Sequence, residues 1–157
     1  MRLQRVALAV VLNDANRVLM MWRHRFATDE WGWELPGGIV EPNEDGEHTA
    51  RREVEEETGW RPGPLSHLVS FQPMPGMVDT PHEVYLGHGA ERVGEPTDAE
   101  EAARIEWVPL DQVLDLVKDG SLLGSGSLVG LLYVLASGTE RRSGGPGKGV
   151  DAPALPD

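Results

Sequence analysis

Residues 38–60 read GIVEPNEDGEHTARREVEEETGW, and this stretch decides the fold. The spacing predicts a helix over residues 44–58: Ala50 and Val54 repeat at i,i+4 on one apolar face, and Gly59 supplies a C-terminal stop. Glu53, Glu56 and Glu57 stand at i, i+3 and i+4, so their carboxylates share one helix face. Like charges so spaced destabilise a helix by about 0.2–0.5 kcal/mol per pair. A hard cation between them would resolve the conflict, because Mg²⁺ takes oxygen ligands and combines carboxylates with substrate phosphates. An isolated E-x-x-E-E equally describes a solvated acidic face. Two neighbours favour the site. Arg52, at i,i+4 to Glu56, can hold a carboxylate in one orientation, and the Leu-Pro-Gly-Gly turn of residues 35–38 carries glycines that let backbone approach a ligand closely.

Outward from this stretch, residues 6–12 and 17–23 flank Asn13-Asp14-Ala15-Asn16 and read as a β-hairpin with a short polar loop. Residues 31–36 form a short aromatic strand stopped by Pro36. Residues 65–71, 83–87 and 104–108 read as further strands, with a turn-rich segment over 72–81. A second helix is expected over 109–118, with Pro109 near its first turn, and a third over 122–136. The order predicts an α/β domain with a mixed sheet over residues 1–137. Residues 138–157 are Gly, Pro and charge with almost nothing to bury, which predicts a disordered tail.

A chain of 157 residues suffices for one domain with its own core. The absence of cysteine excludes disulfides, thiolate metal sites and cysteine nucleophiles, and fits a reducing compartment. Net charge is −12, from 26 acidic against 14 basic residues. Such a surface repels phosphate backbones, so nucleic acid is not an expected partner, and a small anionic substrate would need cations to screen it. Arg2 and Arg5 before residues 6–12 imitate a stunted signal peptide, but the run lacks a cleavage site and meets a turn at Asn13-Asp14. Nothing reaches the roughly 18–20 apolar residues of a membrane span. The expectation is a cytoplasmic protein without membrane contact, and a homodimer as the default oligomer.

The stretch resembles the Nudix hydrolase family, whose box reads G-x5-E-x7-R-E-U-x-E-E-x-G-U with U bulky and apolar. This chain supplies Gly38, Glu44, Arg52, Glu53, Val54, Glu56, Glu57 and Gly59, with Trp60 in a place where aliphatic residues are usual. The resemblance spans about residues 3–136 and implies an α/β/α sandwich, the Nudix fold. It implies that Glu53 and Glu57 are the main Mg²⁺ ligands, with Mn²⁺ as a substitute. Glu56 would be a further ligand or the base that activates water, the Gly37 carbonyl would complete the shell, and Arg52 would orient the glutamates. Glu44 would brace the loop before the helix. The implied reaction is hydrolysis of a nucleoside diphosphate linked to another group, giving a nucleoside monophosphate and X-phosphate.

Residues 73–79, PMPGMVD, look like the Pro-Gly-x-Ser-Asp-Glu loop of ADP-ribose pyrophosphatases, with Val78 and Thr80 in place of the usual Ser and Glu. That branch implies a substrate contact at Pro75 and a catalytic glutamate at Glu100 or Glu101. Its N-terminal extension, which builds swapped dimers, is not seen before the first strand. Trp33, beside the Leu-Pro-Gly-Gly turn, is the best candidate for stacking on a base, although aromatics on strands are more often core. Arg23 and Arg25 could grip phosphate or ribose, or be exposed strand-end charge; with Gly38 they complete the candidate substrate residues. Hydrolysis of ADP-ribose or a similar nucleotide sugar leads. Cleansing of (d)NTPs such as oxidised nucleotides, and nucleotide sensing without cleavage, stay open.

Overall fold

The apolar run Val6–Leu12 becomes strand β1, with Ala7, Ala9 and Val11 in one core cluster and Leu8, Val10 and Leu12 in another. A strand buried on both faces needs no polar alternation, which is why this run imitates a signal segment. The computed structural model describes residues 1–97, 102 and 104–143, the side chains of residues 139–143 excepted. The chain turns after β1 through an Asx turn: the Asn13 side-chain oxygen accepts N–H bonds from Ala15 and Arg17, both at 3.0 Å, and Asn16 takes φ 55.

Strand β2 (Arg17–Arg25) leaves β1 after pairing Leu12 with Val18, and then lies between β3 (Glu30–Glu34) and β9 (Arg104–Pro109). The gap beside the start of β1 is filled by β4 (Gly37–Ile39), which pairs Val6 with Ile39 and Leu8 with Gly37. On the other edge β1 runs parallel to β7 (His82–His88), and β6 (Leu65–Phe71) adds antiparallel to β7. Among the described residues the result is a mixed sheet of seven strands. A separate pair joins β5 (Trp60–Pro62) to β8 (Ala90–Arg92).

Helix α1 (Gly46–Thr58) covers one face, burying Ala50 and Val54 against Ala7, Ala9 and Leu19. Burial of a side chain such as Val54 stabilises by about 1.5–3 kcal/mol. On the other face lie α2 (Val113–Lys118) and α3 (Ser125–Ser143), whose Val113 and Leu131 pack with Leu8, Val10 and Val84. This is an α/β/α sandwich, the architecture that the resemblance implies.

Several local expectations are corrected. The first helix starts at Gly46, because Asp45 is the N-cap and accepts the His48 N–H at 2.8 Å. The Leu-Pro-Gly-Gly segment is not only a turn, since its glycines belong to β4. The second helix starts at Val113; Pro109 ends β9, and a 3-10 turn at Leu110–Gln112 intervenes. The third starts at Ser125, because residues 121–123 lie extended along β3, with the Trp33 N–H donating to the Ser121 carbonyl at 2.7 Å. Helix α3 also continues through Gly138 to Ser143, beyond the tail boundary expected from composition. A helix already nucleated on the core carries one glycine at a cost of about 1 kcal/mol. Residues 144–157 lie outside the described residues. Strands β5 and β8 leave no signal in the sequence, since three-residue strands reading Trp-Arg-Pro and Ala-Glu-Arg are too short to show alternation.

Candidate active site

Helix α1 presents its glutamates to β4 and the ends of β2 and β3. Gly59 terminates it at φ 75 and donates its N–H to the Glu55 carbonyl at 2.9 Å. Before the helix, Glu44 reaches forward. Its carboxylate accepts Thr49 Oγ1 at 2.6 Å and both Nε and Nη2 of Arg52, at 3.0 and 3.1 Å. This two-pronged bond holds the Arg52 guanidinium in one plane. Arg52 Nη1 then donates to Glu53 Oε1 and Glu56 Oε2, each at 3.0 Å. The Arg52 bonds first, and Thr49 second, hold the Glu44 carboxyl below its ordinary range. The same bond with Glu44 raises the Arg52 pKa further.

Glu57 points inward. Its side chain is 3% exposed, and Oε1 accepts the Gly37 N–H at 2.8 Å while Oε2 faces Arg23 Nη1 at 3.4 Å. The glycines of β4 are required by close approach. A Cβ on Gly37 would meet Leu8 Cβ at 2.5 Å and the Ala7 carbonyl at 2.6 Å, and one on Gly38 would meet Glu53 Oε1 at 2.4 Å. Gly38 therefore makes room for the Glu53 carboxylate itself.

The strand register assigns the remaining candidates. Met21, Arg23 and Arg25 of β2 lie opposite Glu34, Gly32 and Glu30 of β3, on the face that α1 covers. Arg25 donates Nε to both Glu34 oxygens at 3.1 Å and Nη2 to Oε2 at 2.6 Å, and Arg23 Nε stands 3.7 Å from Oε2. Arg23, with a side chain 12% exposed, is not strand-end surface charge. Glu34, buried at the centre, was missed by sequence reasoning; its only signal is an acid next to Leu35-Pro36-Gly37.

Trp33 is corrected. It pairs across from Trp22 on the opposite face of the sheet, with ring centroids 5.3 Å apart, and Arg104 lies 5.7 Å from its ring. Alternation along β3 places Glu34 toward the glutamates and Trp33 away from them. Pro75 stands exposed in a turn closed by Met77 and Val78 N–H bonds to the Met74 carbonyl, both at 3.0 Å. The contacts that bring Arg23, Gly37 and Gly38 to α1 do not include it. Glu100 and Glu101 lie outside the described residues; just before them, Thr97 donates its N–H to the Glu56 carbonyl at 2.9 Å.

A cleft of about 550 Å³ opens on the outer flank of α1, with His48, Arg51, Arg52 and Glu56 on one wall and Val93, Gly94 and Thr97 on the other. A larger cavity of about 990 Å³ lies by α3, lined by Leu12, His67, Pro109 and Tyr133, and contains none of the candidate residues.

A family model for the NUDIX domain matches residues 2–122, most of the chain and all of the geometry above. The chain belongs to the Nudix family of hydrolases. It is 51% identical over 139 residues to the CMP-5'-(N-acetyl-N-hydroxy-3-aminopropyl)phosphonate hydrolase of Streptomyces rubellomurinus (strain ATCC 31215), covering 88% of this chain and 68% of the relative. It is 32% identical over 130 residues to the ADP-ribose pyrophosphatase of Mycobacterium tuberculosis (strain ATCC 25618 / H37Rv), covering 81% of this chain and 63% of that protein. The chain thus spans about two thirds of the length of these relatives. A solved structure of an ADP compounds hydrolase superposes with a TM-score of 0.77 at 17% identity, over 88% of this chain and 74% of the other, a likeness of fold. A second ADP-ribose pyrophosphatase, that of Bacillus subtilis (strain 168), is 28% identical over 131 residues, 82% of this chain and 71% of that protein.

Nudix hydrolases act on small nucleotides and generally use divalent cations. Among the described residues, no three His, Asp or Glu side chains stand close enough to form a finished cation cage. The donors nevertheless fit a hard cation. They are carboxylate oxygens, two of them gathered on one Arg52 nitrogen, and Gly38 is cleared for Glu53. Guanidinium groups contact the charges that a cation would share. No described helix is long and apolar enough to cross a membrane.

Proposed function

We propose that this Nudix hydrolase is Mg²⁺-dependent and cuts the anhydride between a nucleoside 5′-monophosphate and a second phosphoryl or phosphonyl group. The observation that carries the reading is the Arg52 fork, which locks Glu44 on one side and holds Glu53 and Glu56 on the other. A guanidinium so held fixes carboxylates in a shape suited to bind metal and phosphate rather than merely to be hydrated.

Glu53, Glu56 and Glu57, with the Gly37 carbonyl, would hold the cation. When bound, Mg²⁺ neutralises diphosphate charge and lowers the pKa of a coordinated water. The protein's own part is to bind and orient. Arg23 and Arg25 lie on the same sheet face as donors for phosphate oxygens, and the cleft beside Arg52 and Glu56 offers space for one end of the substrate. A carboxylate, Glu56 or one of Glu100 and Glu101, accepts the proton as water oxygen bonds to phosphorus and the anhydride P–O bond breaks. The products are a nucleoside monophosphate and the free phosphate or phosphonate.

For the substrate, the 51% identical relative favours a CMP-linked phosphonate. The second reading, ADP-ribose, is favoured by the Mycobacterium tuberculosis relative and by the loop at residues 73–79. Purified protein with Mg²⁺ and a panel of CMP-linked phosphonates, ADP-ribose and (d)NTPs decides between them. CMP release is expected from the first, AMP plus ribose phosphate supports the second, and pyrophosphate from an NTP supports nucleotide cleansing. Glu57→Gln should abolish turnover on the preferred substrate; an unchanged rate would remove Glu57 from the reaction.

A further inference from the structure

We propose that Thr49 is a positioning residue: its buried hydroxyl fixes the Glu44 carboxylate, and so sets the plane in which the Arg52 guanidinium holds Glu53 and Glu56 for a cation. The inference rests on the reading of Glu53 and Glu56 as cation ligands. Arg52, Glu53 and Glu56 stand at i+3, i+4 and i+7 from Thr49, which therefore lies one turn before them on the same face of α1. Thr49 is 0% exposed. A hydroxyl so placed is out of reach of bulk water and must find its acceptor within the protein.

Inside a helix the ordinary acceptor for a threonine hydroxyl is the carbonyl one turn back. Thr58, at the end of the same helix, follows this habit and donates Oγ1 to the Val54 carbonyl. Thr49 directs its hydroxyl out of the helix instead. Its Oγ1 donates to Glu44 Oε2 at 2.6 Å, while the Asp45 carbonyl one turn back accepts the Thr49 N–H at 3.1 Å. Such a length is usual for a hydroxyl on a charged oxygen. The same Oε2 accepts Arg52 Nη2 at 3.1 Å, and Oε1 accepts Nε at 3.0 Å. Two oxygens against two nitrogens define the guanidinium plane, and the plane aims Nη1 at Glu53 Oε1 and Glu56 Oε2, each at 3.0 Å. Glu44 precedes the Asp45 N-cap and so lies outside the helix. Held by Arg52 alone, its carboxylate would follow that long side chain as it moved. Thr49 is short and stiff about its first torsion, and it ties the carboxylate to the helix backbone. His48, also beside Glu44, stands 3.9 Å from Oε1 with a side chain 63% exposed and offers no comparable anchor.

The test uses Mn²⁺ alone, bound to the full chain without substrate and followed by electron paramagnetic resonance, with melting temperatures in parallel. Thr49→Val keeps the branched shape and removes the hydroxyl. Mn²⁺ binding should weaken roughly three- to tenfold, at the low end of what loss of an outer partner costs a metal site. Thr49→Ser keeps the donor and should bind Mn²⁺ as wild type does, even though loss of a buried methyl lowers its melting temperature. In a Glu44→Ala background Thr49→Val should have no further effect on Mn²⁺, because the hydroxyl acts through Glu44. With substrate, Thr49→Val should raise the Mg²⁺ concentration needed for half-maximal rate more than it lowers kcat at saturating Mg²⁺. Unaltered Mn²⁺ affinity in Thr49→Val, whatever its melting temperature, would overturn the proposal, as would an equal loss in Thr49→Ser or an effect that persists without Glu44. Should Thr49→Val fail to fold, Thr49→Ala removes the same hydroxyl without added bulk and is read against Thr49→Ser in the same way. Glu53→Gln serves as the separate control: Mn²⁺ binding as tight as wild type there would refute the ligand reading itself.

Discussion

Two adjacent glycines should fail in different ways when each gains one methyl group. In Gly38→Ala the new Cβ would stand 2.4 Å from Glu53 Oε1, 2.6 Å from Cδ and 3.0 Å from Cγ. All three atoms belong to the far part of one side chain, which can retreat. Ordinary contact begins at 3.4 Å, so the Glu53 oxygen must move by about 1 Å. Stability should change by less than about 1 kcal/mol, helped by the reduced freedom of the unfolded chain. A displacement of about 1 Å at a reacting centre costs on the order of 100-fold in rate. In Gly37→Ala the Cβ meets Leu8 Cβ at 2.5 Å, the Ala7 carbonyl oxygen at 2.6 Å and Leu8 Cα at 2.7 Å, all tied to the central strand. These atoms cannot retreat without disturbing β1, so a loss of about 1–3 kcal/mol is expected, roughly 3–10 °C in Tm. Thermal melts of both variants, and initial rates of nucleoside monophosphate release with Mg²⁺, measure the contrast. The reasoning is refuted if Gly38→Ala turns over at the wild-type rate, or if it melts as early as Gly37→Ala.

Arg52→Lys keeps the charge but loses the two-pronged bond to Glu44 and the nitrogen shared by Glu53 and Glu56; kcat should fall roughly 10- to 100-fold, and steady-state kinetics showing less than a twofold change would contradict the fork's role. Gly59→Ala places a side chain at φ 75 and 2.2 Å from the Gly94 carbonyl oxygen, so urea unfolding should report a loss of about 2 kcal/mol or more, and an unmoved midpoint would count against it. Burial, and then the neighbouring Glu83 charge, push the Tyr85 hydroxyl up to about 12 from its ordinary 10.0. The folded state therefore binds this proton more tightly than the unfolded one, and stability should decline as pH rises from 10 towards 12. Tyr85→Phe should flatten that decline in pH-dependent melts; an identical slope would assign the loss elsewhere.

The spacing of residues 38–60 determined the helix, its acidic stripe, its glycine stop and membership of the family, because helical neighbours three and four apart are fixed by local geometry alone. The long strands at residues 6–12 and 65–71 were legible for the same local reason, as apolar runs bounded by turns. Tertiary structure decided the rest. Whether Glu34 or Trp33 faces the glutamates depends on how β3 pairs with β2, and a shift of one residue would exchange them. Arg23 meets Glu57 only because chain segments 34 residues apart are brought onto one sheet face. The glycines of β4 carry a turn signal in the sequence, and only the packing of β1 and Glu53 against them makes them a strand. Spacing within one element is written in consecutive residues, whereas contact between elements is set by packing that no short stretch contains.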